Sequence, residues 1–152
     1  VSVNDIMWDL SEKRRGGEFD VVIFNDVIEH LTKTEIFEVL EGIIKVLKID
    51  GVLLIKTPNM ANPFVSTAGR YIDITHEVGF NEESMRQVLK ASGFKDIKII
   101  GTDVYVLNPI ISILAKIISK IINVILFLLS VLYGRTSVKI FEKDILAAAY
   151  KK

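Results

Sequence analysis

The chain carries two histidines, His30 and His76, and no cysteine. Without cysteine there is no thiol nucleophile, no disulfide and no cysteine-held zinc, which fits a reducing compartment. An unperturbed imidazole titrates near neutral pH, so either histidine suits a general base. Asp26, Glu29 and His30 stand at i, i+3 and i+4, so a helical turn would aim all three the same way. The plainer reading is that Glu29 and His30 only cap a helix start and hydrogen-bond to neighbouring loops. Arg70 and Tyr71 suit contact with an anionic or sugar ligand, or simple solvation at the surface.

The elements that must position these groups follow from periodicity. Phe19-Asp20-Val21-Val22-Ile23-Phe24-Asn25 is a continuous apolar run rich in β-branched residues, as in a strand buried on both faces. Thr32 and Glu35 form a capping box, followed by Ile36, Phe37, Leu40, Ile44 and Leu47 at helical spacing. Asp50-Gly51 should stop that helix, and Val52-Leu53-Leu54-Ile55 reads as a second buried strand ended by Thr57-Pro58-Asn59. Strand, helix and strand with short joints make a βαβ unit with parallel strands. Ligands of open α/β sheets bind beyond the carboxyl ends of the strands. Asn25-Asp26-Val27-Ile28-Glu29-His30 and Thr57-Pro58-Asn59 both fall there.

Residues 60–80 read as a polar, irregular stretch. Asn81 caps a second helix with Glu82 and Glu83 in its first turn and Gly93 at its end. Residues 96–107 alternate like a third strand. In residues 138–150, Ala147-Ala148-Ala149 favours helix while Val138, Ile140 and Phe141 alternate like a strand.

At 152 residues the chain suits one compact domain, and 50% hydrophobic with 25% charged residues excludes a disordered protein. A net charge of +0 provides no field to attract nucleic acid, so none is expected as a partner.

Three motifs in order resemble class I S-adenosylmethionine (SAM)-dependent methyltransferases of the ubiquinone-pathway-like, type 11, 12 or 23 group. The stretch from Phe19-Asp20-Val21-Val22 to Glu29-His30-Leu31 is similar to the segment around their fourth strand. Leu47-Lys48-Ile49-Asp50-Gly51 to Thr57-Pro58-Asn59 resembles their fifth strand. Asp73-Ile74-Thr75-His76-Glu77-Val78-Gly79-Phe80 resembles a later loop before a helix. The resemblance implies an α/β fold, the back half of a Rossmann-like methyltransferase sheet, with residues 138–150 as a last antiparallel strand. It implies SAM as cofactor, with Asn25 and Asp26 beside it and Asp5 and Ile6 near its adenine. It also implies methyl transfer to a hydroxyl on a small-molecule, glycan or lipid-linked acceptor, with His30 and His76 catalytic and Asn59, Arg70 and Tyr71 on the acceptor side. Small-RNA 2′-O-methyltransferases and ubiquinone-pathway enzymes resemble this chain in an acid-x-x-Glu-His cluster with a distant His. By that likeness Asp26, Glu29, His30 and His76 would hold a divalent cation, and such mixed ligands suit magnesium, manganese or zinc.

The family's Gly-rich cofactor loop and ribose-binding acid have no counterpart before Phe19. The expectation is therefore a single partial methyltransferase domain over residues 1–152, a C-terminal half that is inactive alone. The rival expectation is a non-catalytic fragment that binds membrane or pairs with another chain.

Residues 108–134 form a hydrophobic helical insert in that domain. Its polar members Ser112, Lys116, Ser119, Lys120, Asn123 and Ser130 share one helical stripe. A membrane span, a helix lying in the lipid interface through residues 110–133, and a lid or dimer helix are the three readings. One span between the third and last strands would part them across the bilayer, so the interfacial helix fits better. The expected location is cytoplasmic and peripheral to a membrane.

Overall fold

The computed structural model describes residues 17–104 and 106–152. Four strands, β1 (Phe19–Asn25), β2 (Leu47–Pro58), β3 (Lys95–Gly101) and β4 (Asp144–Tyr150), form one sheet in the order β1-β2-β4-β3. β1 and β2 run parallel, with Asn25 opposite Lys56. β4 lies antiparallel between β2 and β3, so Ala147 sits beside both Ile55 and Ile99. The sheet context overrides the helix propensity of the three alanines. The resemblance-based strand over 138–150 is shortened to Asp144–Tyr150, because residues 139–142 are held by side chains instead. The Glu82 carboxylate accepts from the Lys139 and Ile140 N–H groups at 3.0 and 3.1 Å. Asn59 Nδ2 donates to the Ile140 and Glu142 carbonyls, both at 2.9 Å.

Helix α1 (Lys33–Val46) starts with the expected capping box, in which Glu35 accepts from the Thr32 N–H at 2.8 Å. It ends at Val46, before Asp50-Gly51, because Leu47 already has extended backbone angles and pairs with Phe19. Asp50, at φ 62°, then shapes an irregularity inside β2. Gly51 is required there, since a Cβ would come within 2.8 Å of the Lys48 carbonyl oxygen. The buried face of α1 is Ile36, Val39, Leu40, Ile43 and Val46. Phe37, expected inside, is 47% exposed.

The 60–80 stretch is not irregular throughout. It contains helix α2 (Pro63–Ile72), with proline in its first turn and Asn62 Oδ1 accepting from the Phe64 and Val65 N–H groups. Helix α3 (Glu82–Ala91) is capped by Asn81, with Ser84 completing the box, and ends near Gly93 at φ 94°. β3 ends at Gly101, short of the expected 107. The insert is helix α4 (Pro109–Leu132).

The core lies between one face of the sheet and helices α1 and α3, through Leu53, Ile55, Leu40, Ile43, Met85 and Leu89. The expectation of strands buried on both faces is corrected. Ile23 is 71% and Ile100 60% exposed on the opposite face. Alternate strand residues point to opposite faces, and α1 and α3 pack on only one of them.

Candidate functional site

Parallel pairing brings the carboxyl ends of β1 and β2 side by side, and the chain leaves both into polar sequence. After β1, Asp26 takes a left-handed conformation (φ 50°), and Ile28–His30 forms a single 3-10 turn. The main-chain carbonyl of Glu29 accepts from the Glu77 and Val78 N–H groups at 2.8 and 3.1 Å. After β2, Asn59 bridges to Phe80. These two backbone ties draw the loop between α2 and α3 over the strand ends and bring His76 to His30.

The two imidazoles lie 4.7 Å apart, centroid to centroid, tilted by 55°. One candidate ligand atom from each of Glu29, His30 and His76 falls within 4.8 Å of the others. The hydrogen bonds orient both rings. His76 Nδ1 lies 3.1 Å from the Gly69 carbonyl, which can only accept, so this nitrogen carries the proton. His30 Nδ1 lies 2.8 Å from the Thr75 hydroxyl. That hydroxyl donates its one proton to the Asp73 carboxylate at 2.7 Å, so it accepts from His30. The Thr75 bonds hold the Asp73 carboxyl below its usual range. With Nδ1 so engaged on each ring, Nε2 is the nitrogen left for a base or metal-ligand role.

Glu29 is buried, 3% exposed, and accepts from the equally buried Thr57 hydroxyl at 3.1 Å. Burial pushes its carboxyl above the ordinary value, against the lowering effect of its backbone and Thr57 hydrogen bonds.

Asp26 stands apart from this cluster. Its carboxylate takes both oxygens to Lys56 Nζ at 2.7 and 2.9 Å, which raises the Lys56 pKa. The i, i+3, i+4 spacing would align Asp26 with Glu29 and His30 only in a continuous helical turn. The left-handed residue and the 3-10 geometry break that turn. Asn25 is exposed at the end of β1.

Asn59 is fully buried, donating to two carbonyls and accepting from the Ala61 N–H at 3.0 Å. Its side chain clamps residues 140–142 and the turn at Ala61 to the end of β2. Arg70 reaches the Glu77 carbonyl at 2.7 Å and so tethers the histidine-bearing loop to α2. Tyr71 is 83% exposed. Asp5 and Ile6 lie outside the described residues.

Sequence reasoning did not single out Thr57, Asp73 or Thr75 for the site. Asp73 and Thr75 had a legible signal, an acid two residues before a hydroxyl that closes a turn, with the Thr75 N–H donating to Asp73 Oδ1 at 2.9 Å.

No protein-family model matches this chain, and no curated protein sequence does. Solved structures do. A SAM-dependent methyltransferase from Archaeoglobus fulgidus matches 97% of this chain and 65% of its own length, with 21% identity and a TM-score of 0.64. A SAM-dependent methyltransferase from Thermotoga maritima, described as a possible histamine N-methyltransferase, matches 90% of this chain and 57% of its own, with 11% identity and a TM-score of 0.58. An O-methyltransferase family protein from Burkholderia thailandensis matches 99% and 33%, with 16% identity and a TM-score of 0.51. The chain thus spans about two thirds or less of the length of each. With its inserted antiparallel β4 and its polar cluster beyond two parallel strand ends, the chain has the fold of the class I SAM-dependent methyltransferases over the part it shares with them.

Proposed function

We propose that this chain serves methyl transfer from SAM to a hydroxyl on a small-molecule, glycan or lipid-linked acceptor. The observation that carries this reading is the convergence of His30, His76 and Glu29 beyond adjacent parallel strands of a methyltransferase fold. When bound, SAM would supply an electrophilic methyl group, whose bond to the sulfonium sulfur breaks to leave S-adenosylhomocysteine. The residues of this chain must then hold the acceptor oxygen in line and take its proton as the new bond to carbon forms. His30 or His76 receives that proton on Nε2, since each Nδ1 is already engaged. Thr75 and Asp73 keep the His30 ring in place, and Arg70 fixes the loop that carries His76. On the donor side, Asn25 and Asp26 border the strand end, with Asp26 committed to Lys56.

The closeness of one carboxylate and two imidazoles favours a second reading of the same site. A divalent cation (magnesium, manganese or zinc) held by Glu29, His30 and His76 would bind the acceptor oxygen and ease loss of its proton.

Calorimetric titration of the chain with manganese, then with SAM and S-adenosylhomocysteine, tests both readings. Manganese binding that falls at least about tenfold in His76→Ala supports the cation site. Cofactor binding supports the methyl-transfer reading. Silence towards the metal removes the second reading. Silence towards both cofactors is the result expected of a partial domain without the Gly-rich loop. The test then moves to a chimera that supplies that loop from a solved methyltransferase. There, loss of transfer in His30→Ala and His76→Ala supports the reading, and unchanged transfer overturns it.

A further inference from the structure

Helix α4 inverts the pattern of a surface helix. Its 24 residues have a mean hydropathy of 2.2 in the most apolar window, and none of that window is buried. The half-buried positions include the polar ones, Ser112, Ser119, Asn123 and Ser130. Apart from Lys116 and Lys120, which border the polar stripe, the exposed positions are apolar, with Ile113 62%, Leu114 57%, Ile121 56% and Leu128 56% open to solvent. The polar stripe is turned towards the domain. Lys116, Ser119, Lys120 and Asn123 face a groove they share with Asp103 and Glu142, and Lys116 pairs with Asp103 at 3.0 Å. A helix of a water-soluble surface places its apolar stripe inward and its charges outward. Here the apolar side faces away from the protein.

We propose that α4 docks this domain onto a lipid bilayer, lying in the plane of the interface with its outward arc among the acyl chains. Three observations select this occupant. First, the apolar arc covers roughly 200° at about 3.6 residues per turn. That is broader than the seam through which a single helix of a second copy would pack, and it suits a solvent that surrounds the helix. Second, connectivity forbids a crossing. The Thr102 N–H donates to the Asp144 carbonyl at 3.0 Å, so both ends of the insert leave the sheet side by side. The returning segment is fixed to the domain at Lys139 and Ile140 by Glu82. A helix of about 36 Å that shares a groove with the domain it leaves cannot also traverse the hydrocarbon, where the polar return would lose its backbone partners. Third, the apolar surface extends past the helix. Phe64 of α2 lines the same side groove as Ile118 and Ile122, and Phe64 is 71% exposed. Interfacial helices bind through such a buried apolar arc backed by a polar face.

The absence of cysteine allows single-site labelling of the full chain. An environment-sensitive fluorophore on Ile121→Cys should shift to the blue with several-fold brightening when phosphatidylcholine and phosphatidylglycerol vesicles are added. The same probe on Ser119→Cys should barely respond. The double variant Ile117→Asp/Ile121→Asp should lose about a hundredfold in vesicle partitioning, at about tenfold for each deleted apolar contact. No response at residue 121 overturns the proposal. An equal response at both positions overturns the in-plane geometry, because it requires lipid on all sides. A blue shift at residue 121 that grows with protein concentration and needs no vesicles also overturns it, in favour of a second copy as the cover.

Discussion

The two faces of the sheet are built from similar amino acids and meet opposite surroundings. Leu53, Ile55, Ile145 and Ala147 are buried under α1 and α3. Residues on the opposite face of the same sheet, Ile23, Leu54, Leu146 and Ile100, are 71%, 38%, 38% and 60% exposed. Residue type therefore does not tell which face is packed. Two helices of 14 and 10 residues, each with one apolar stripe, cover one face and no more. The longest and most apolar helix is not recruited to the other face. Among the described residues, burial follows which elements pack on the sheet, not which residues are greasiest.

The largest effect expected from this contrast is in the packed layer. Leu53→Ala or Leu89→Ala should cost about 2–5 kcal/mol in denaturant unfolding, as removal of a well-packed core side chain does. Leu54→Ala, one residue away on the open face, should cost well under half of that. Equal losses at positions 53 and 54 would break the comparison.

Next come the polar ties that hold residues 139–142 against the core. Glu82→Ala leaves two backbone N–H groups without their acceptor and should cost about 1–3 kcal/mol. Its readout is early protease nicking between α4 and β4, before the rest of the domain opens.

A smaller effect is expected at the start of α1, which carries much of the covered face. Thr32→Ala should cost about 1 kcal/mol through loss of the cap. The Thr32 side-chain and backbone hydrogen bonds hold the Glu35 carboxyl below its ordinary value of 4.5. The folded state therefore releases this proton more readily than the unfolded chain. Its contribution is present above about pH 4.5 and is lost as pH falls through the folded value. Thr32→Ala should flatten that part of the acid limb in a pH series of melts.

The smallest effect sharpens the contrast from the other side. Ile121→Ser on the outward arc of α4 should change the unfolding free energy in water by less than about 0.5 kcal/mol. A loss as large as at Leu53 would mean that α4 is packed after all.

How much of the site was legible depends on the range of the interaction. The Thr32 and Asn81 caps, the Gly93 stop and the parallel strand pair are written locally, in residues three or four apart or in short apolar runs. The histidines were legible as candidates because the chain has only two. Their partners were not. Thr75 meets His30 across 45 positions, and Lys56 meets Asp26 across 30. The Asn62-Pro63 helix start was legible in principle and lay hidden inside a polar stretch.

The sequence alone determined most of the elements, the Thr32 and Asn81 caps, the order of motifs that marks the fold, and a helix too apolar for water. Those properties rest on backbone hydrogen bonding and side-chain periodicity over a few residues. The tertiary structure decided that Glu29 rather than Asp26 joins the histidines, that α1 buries Val39 and Ile43 rather than Phe37, and that the polar stripe of α4 turns inward. Each of these is a choice between partners far apart in the chain. Such choices are settled by which contacts the folded backbone brings within a few ångströms, and local spacing does not encode that distance.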